Sequence, residues 1–185
     1  MKKFFVTMLM VLLTAPVFAQ FGSGGFSISE ENLYYGIRFG VTSASFSGFI
    51  DSDSKTGMTL AGVVGFRVST TAPVFLESGL YYTERGGKFE DIKESYNVLE
   101  VPLLVKYGIQ TQSDIIILPF IGPYFGYAIK TDGFNRANMG FKLGCGIEFQ
   151  QLYLEAGRQF GVTDILDGDK SAHSNAWFLN FGINF

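Results

Sequence analysis

Cysteine and histidine, the residues on which most metal and redox chemistry depends, are almost missing from this chain. It has one Cys, one His and one Trp in 185 residues. A single Cys makes neither an internal disulfide nor a Cys-based zinc site. A single His excludes any site that needs two imidazoles. Charge is scarce as well: 17% of residues are charged, against roughly 25% in an average soluble domain. The 14 Lys and Arg against 17 Asp and Glu leave a net charge of −3. That balance argues against nucleic acid as a partner, because neutralising phosphate takes clustered Lys and Arg. A long apolar run is also lacking. The most apolar stretch, Ile115 to Ile129, is interrupted by Pro119, Gly122, Pro123 and Gly126, which are poor helix-interior residues. It is also shorter than the ~20 residues of a helical span. Nothing in the sequence implies a cofactor.

What the chain has instead is aromatic rings and glycine, with 20 Phe, 9 Tyr and 23 Gly. Few charges and many aromatics argue against disorder, and the length suits one domain. Lys2 and Lys3, the apolar run Phe4–Leu13 and the small-x-small site at Val17-Phe18-Ala19 read as a secretory signal peptide over 1–19. Gln20 follows the expected cut, and a Cys there would have signalled a lipid anchor. Residues 20–32 read as a flexible Gly/Ser-rich arm, leaving 33–185 as the folded domain.

That domain alternates with a period of two, the signature of strands. Trp177, Leu179, Phe181, Ile183 and Phe185 share one face of the last strand, opposite Phe178, Asn180, Gly182 and Asn184. The same pattern runs through 33–42, 58–68, 98–107 and 138–149, and more weakly through 74–85, 115–130 and 152–161. Eight strands are a permitted count for a closed membrane barrel. The fold expected is an all-β, eight-stranded antiparallel up-and-down transmembrane β-barrel. Gaps near 69–73, 109–114 and 150–151 are short. Those near 46–56, 86–95, 131–136 and 162–174 are mostly longer and polar, as expected of periplasmic turns and outer loops.

The polar faces separate membrane from water. A soluble sandwich exposes its polar faces, whereas a membrane barrel turns them into its lumen. Those faces carry Arg38, Arg67, Lys106 and Lys142 against Glu77, Glu100, Glu148 and Glu155. Such a balance suits a narrow lumen, since an unpaired buried charge costs several kcal/mol. Eight strands leave an interior that side chains just fill, so the barrel is expected to be plugged. Tyr34, Tyr35, Tyr107, Phe149, Tyr153 and Phe185 at one end, and Tyr82, Tyr127 and Trp177 at the other, are expected to form aromatic girdles. Three features fit less well. Pro102, Pro119 and Pro123 fall inside strands and predict bulges. Strand 115–130 is apolar on both faces, so its inward side is open. Arg158 breaks the alternation of strand seven.

Several segments resemble the PorT-like outer-membrane β-barrel family of Gram-negative bacteria. They are Tyr35-Gly36-Ile37-Arg38-Phe39-Gly40, Leu99-Glu100-Val101-Pro102-Leu103-Leu104-Val105-Lys106-Tyr107, Pro119-Phe120-Ile121-Gly122-Pro123-Tyr124, and the run from Gly140 through Ile165. Thr42 stands where the family pattern has Asn. The resemblance implies an outer-membrane location, contact with outer-membrane lipid, and recognition of the terminal Phe185 by the barrel-assembly machinery. The role expected is non-enzymatic, structural or protein-interacting with an envelope partner, to which the resemblance adds an accessory part in protein secretion. A small-ligand binding or uptake barrel, a lipid-modifying outer-membrane enzyme with His173 in its site and a secreted soluble barrel are the alternatives.

Candidate chemistry is thin. His173 and Ser174 suggest a lipid-modifying hydrolase, but adjacent strand residues point to opposite faces. Asp164, Asp167 and Asp169 could offer oxygens to Ca²⁺, without the EF-hand spacing. Cys145 is expected to face lipid, where a thiol is inert. Glu100 and Lys106 are expected to meet as a lumen ion pair, with a proton relay as the functional alternative.

Overall fold

The alternation becomes eight antiparallel strands: β1 (Leu33–Gly48), β2 (Asp53–Arg67), β3 (Val74–Phe89), β4 (Ile92–Tyr107), β5 (Ile115–Ala128), β6 (Ala137–Phe149), β7 (Leu152–Gly161) and β8 (Ala172–Asn184). The structure is a computed structural model and describes residues 33–48, 53–69, 71–89, 92–111, 114–129, 136–163 and 172–185. The expected signal peptide and flexible arm lie outside these residues. Each strand pairs with its neighbours in sequence, and β1 pairs with β8 to close the ring. Past Gly108, Ile109 and Gln110 extend β4 in unchanged register against Ile117 and Ile116.

The register shows how the ring closes. Leu33 faces Phe66, which faces Leu76, followed by Val105, Ile121, Leu143, Arg158 and Trp177. Trp177 then faces Ser43, so one circuit returns to β1 ten residues beyond its start (43 − 33). This stagger obliges the strands to tilt, by roughly 35–45° in barrels generally. At the seam, the Phe185 N–H donates to the Tyr35 carbonyl (2.8 Å), and the Tyr35 N–H donates to that of Phe185 (3.2 Å).

The three prolines cause no bulge. Ser78↔Leu103 and Tyr81↔Glu100 keep one offset across Pro102, and Pro119 and Pro123 sit in an unbroken run against β6. The register shift among the described residues lies elsewhere, between Ser54 and Thr59. A proline forfeits one ladder bond, worth about 1 kcal/mol net. A one-residue slip would instead turn a whole strand's apolar face inward. The Pro102 carbonyl also accepts a bond from Ser78 Oγ at 2.8 Å.

The inward side of β5 is now assigned: Leu118, Phe120, Gly122, Tyr124, Gly126 and Ala128 are buried, while Ile121, Phe125 and Tyr127 are exposed. The expected loops at 46–56 and 86–95 are largely strand. β1 runs to Gly48, β2 starts at Asp53, and Phe89 pairs with Ile92. Lipid on one face is what imposes the hydrophobic alternation. In these end segments it fades although the pairing continues. At the end that carries the termini, Gln150 takes a left-handed φ of 56° in the tight turn between Phe149 and Leu152.

Cys145 lies on the exposed outer wall of β6, as expected. Being the sole cysteine, it reports on that wall. In lipid vesicles it should resist a charged, membrane-impermeant maleimide and react freely once the protein is unfolded. Labelling of the folded protein at the unfolded rate would mean that this wall does not face lipid.

Candidate functional site

The barrel is inside-out relative to a soluble protein. Arg38 and Glu100 are 0% exposed, while Met58 is 73% and Leu60 59% exposed. Lone exposed apolar residues are ordinary, but a continuous apolar belt around a barrel calls for a non-aqueous surround. The polar residues turned inward form two clusters stacked along the lumen.

The cluster nearer the termini is built around Glu77 and Lys106. Lys106 Nζ lies 2.8 Å from Glu77 and 3.9 Å from Glu155, and Arg38 lies 3.5 Å from Glu77. Lys106 also donates to the Tyr153 hydroxyl (2.8 Å), which donates to Glu155 (3.1 Å). Tyr34 donates to Glu77 at 2.7 Å, and Asn180 donates to Glu155 at 2.8 Å. The Arg38 guanidinium stacks 4.0 Å from the Tyr153 ring centre. Two cations and two carboxylates thus neutralise one another out of water, and hydrogen bonds from Tyr and Asn occupy further oxygens.

The second cluster gathers on Glu100. Arg85 and Lys142 both pair with it, Lys142 at 3.1 Å, and Gln159 donates to it at 3.2 Å. Lys142 also sits 4.5 Å from the centre of the Tyr81 ring. Between the clusters lies an apolar septum. Phe120 and Phe178 stack at 6.3 Å, with Lys106 over the first ring (5.3 Å) and Lys142 over the second (5.5 Å). Above it, Thr42, Thr59 and Thr83 form a hydroxyl ladder across three strands.

Inward glycines provide the room. A Cβ at Gly146 would collide with the Tyr153 hydroxyl, and one at Gly65 with the Tyr34 ring. The high glycine content therefore has a packing cause, since large side chains lie across the narrow lumen over glycines of neighbouring strands.

Of the eight charges read from the sequence, six meet in these clusters: Arg38, Glu77, Glu100, Lys106, Lys142 and Glu155. Arg67 and Glu148 do not join them. They line a recess of about 290 Å³ at the terminal end with Tyr34, Phe75 and Asn184, where Glu148 accepts a hydrogen bond from Asn184. The expected Glu100–Lys106 pair is absent. Both residues point inward, but six residues of one strand separate them, roughly 20 Å at ~3.3 Å per residue. Each belongs to a different cluster.

Tyr34 and Tyr153 are also corrected. Both face the lumen, whereas Tyr35, Tyr107, Phe149, Phe185, Tyr82, Tyr127 and Trp177 are exposed on the outer wall. The sequence reading missed Arg85 because the run Glu84-Arg85-Gly86-Gly87 hides the alternation of β3. It missed Gln159, Tyr81 and Tyr124 because uncharged polar groups gave no signal. The inward parity of β3, β5 and β7 would have found all four. The side chain of His173, and Asp164, Asp167 and Asp169, lie outside the described residues. Among the described residues, no group of three His, Cys, Asp or Glu is placed to hold a metal.

With this geometry in view, the family model for the outer membrane protein beta-barrel domain matches residues 5–185. The chain belongs to that family. The barrel is similar in fold to Neisserial surface protein A (TM-score 0.53, 15% identity, 82% of this chain and 97% of that one). Also similar are Ail, the attachment invasion locus protein of Yersinia pestis (TM-score 0.49, 13% identity, 83% and 99%), and OprG of Pseudomonas aeruginosa (TM-score 0.44, 14% identity, 82% and 95%). No curated protein matches the chain in sequence. This outer-membrane β-barrel domain accordingly resides in the Gram-negative outer membrane.

Breaking a buried pair leaves its partner uncompensated. Lys106→Met should destabilise the folded barrel by about 3–5 kcal/mol in urea titrations in lipid vesicles. Lys106→Met with Glu77→Gln leaves Arg38 against Glu155, and should recover a substantial part of that loss. Equal stability of the single variant and the parent would show that the cluster is not needed for the fold.

Proposed function

We propose that this barrel is a non-conducting, non-enzymatic interaction protein of the outer membrane, and that its contact surface is the sheet projecting from the end opposite the termini. The observation that carries this reading is the inequality of the strands. β1 to β4 have 15 or 16 residues and β7 has 10. About 9–11 residues span a bilayer when tilted.

The excess is on one side. Ile92–Tyr96 of β4 lie beyond the last β5 partners, since Val98 pairs with Ala128 and the Asn97 carbonyl accepts from Ile129. Ala172–Ser174 of β8 lie beyond the last β7 partner, since Asn175 pairs with Phe160. A five-stranded sheet in the order β8-β1-β2-β3-β4 therefore overhangs the shorter strands. Among the described residues, its two margins carry no further strand. A strand margin can add an extended segment of another protein, whose main chain supplies the hydrogen bonds.

The filled lumen supports the non-conducting part of this reading. An accessory role in secretion is what the PorT-like resemblance adds, and its most specific segment, Leu99–Tyr107 of β4, pairs directly with Pro119–Tyr124 of β5. The exposed Phe185, at the terminal end of the outer wall, is where the assembly machinery would find it. A ligand-uptake role is less well supported, because the recess of about 290 Å³ is at or below the small end of the usual ~300–1,000 Å³ range.

Joining Arg85 to Tyr96 through an Asn-Gly turn removes the projecting part of β3 and β4 while keeping a hairpin geometry that strands accept. In intact cells, crosslinking followed by mass spectrometry should yield a reproducible envelope partner for the parent. The trimmed variant should lose it while retaining heat-modifiable gel mobility. A partner captured equally by both would place the contact elsewhere, and a stable large single-channel conductance would refute the sealed lumen.

A further inference from the structure

Arg158, the residue that breaks the alternation of β7, stands on the lipid-facing wall of the barrel. It pairs across the ladder with Leu143 on one side and Trp177 on the other, both exposed outward. Its guanidinium lies 4.8 Å from the centre of the Phe160 ring and 5.2 Å from that of Trp177. Among the described residues it takes part in no ion pair, and its Nε is buried without a hydrogen-bond partner.

Its depth is informative. Arg158 is three residues from Gly161, the last residue of β7. An arginine on the outer wall of such a barrel is costly at the bilayer midplane, and the cost falls towards the interface. From this position the long side chain can reach the headgroup level by snorkelling. Of the two rings that flank it, Trp177 is of the kind that settles at that level. The planar fork suits two oxygens of one phosphate, a geometry that a single-point ammonium lacks.

We propose that Arg158, Phe160 and Trp177 form a binding site on the outer wall for the phosphate of an anionic membrane lipid. Its aromatic sides would pack against the lipid's apolar part. A lipid suits the place better than free phosphate, because the cation is held between rings on an apolar wall below the strand end.

The chain carries its own reporter, for Trp177 is its sole tryptophan. The whole barrel, refolded into phosphatidylcholine vesicles, would be compared with a minor fraction of brominated phosphatidylglycerol or of brominated phosphatidylcholine. Bromine quenches only tryptophan that it touches, so the signal reads this wall alone. The anionic lipid should quench Trp177 with a relative affinity about fivefold higher, the factor one surface-level cation supplies. Arg158→Gln should bring the two lipids to parity, and Arg158→Lys should keep part of the preference. Heat-modifiable mobility confirms that each variant is folded.

Millimolar inorganic phosphate should leave the quenching unchanged; its removal of the preference would assign the site to a free anion and overturn the lipid proposal. Parity in the parent, or an undiminished preference in Arg158→Gln, would overturn it as well.

Discussion

The constraint on which everything else rests is the stagger of the hydrogen-bond ladder. A circuit of eight strands that returns ten residues further along β1 fixes the tilt and thereby the bore. Lipid leaves no alternative to closure, because an unpaired backbone N–H or C=O in hydrocarbon has no water to satisfy it. Once the bore is set, the inward residues must fill it. The lumen is too narrow for a water column to screen charges, so each inward cation needs a carboxylate close by. The two clusters around Glu77 and Glu100 meet that need for Arg38, Lys106, Arg85 and Lys142, and the Phe120–Phe178 stack occupies the space between them.

The clusters also explain the glycines. A tyrosine crossing the lumen requires an absent side chain on the wall it meets, as at Gly146 beneath Tyr153. Large and vanishing side chains alternate on the inner wall for this reason, and the outer wall, packed only against fluid lipid, has no such requirement. Thr42, placed where the PorT-like pattern has Asn, finds a partner of its own kind in Thr59 at 2.8 Å.

Much of the fold is legible in the sequence because lipid imposes a strict two-residue rhythm. Within the membrane, Trp177 to Phe185 and Met139 to Phe149 each show which face is which. The rhythm fails where its cause stops. The run Glu84-Arg85-Gly86-Gly87-Lys88 carries no alternation, so the ends of β3 and β4 read as loop although their pairing continues. On β5 both faces are apolar, since Leu118 and Phe120 pack inside while Ile121 and Phe125 meet lipid, and only the register separates them. Tyrosine is ambiguous by nature: it suits a membrane interface and a buried hydrogen bond equally, and Tyr34 and Tyr153 make the second choice. Pairing inside the lumen is less legible still. Charge balance can be counted along a sequence, but which lysine reaches which carboxylate depends on the stagger. That is why Glu100 and Lys106, near in sequence, belong to different clusters.

Of the eight ladders, seven join strands that follow one another in the chain, and one joins its two ends: β1 to β8, where Gly36 meets Asn184. Hairpins between consecutive strands can form early, because little chain separates their partners. The seam asks two segments almost the whole domain apart to meet, and loop-closure entropy makes such contacts slow. The nascent barrel is therefore an open sheet for some time, with β1 and β8 as two unsatisfied margins competing for any strand nearby. Folding rate, and vulnerability to misassembly before the ring shuts, are concentrated along the seam that runs from Tyr35 and Phe185 to Gly48 and Ala172.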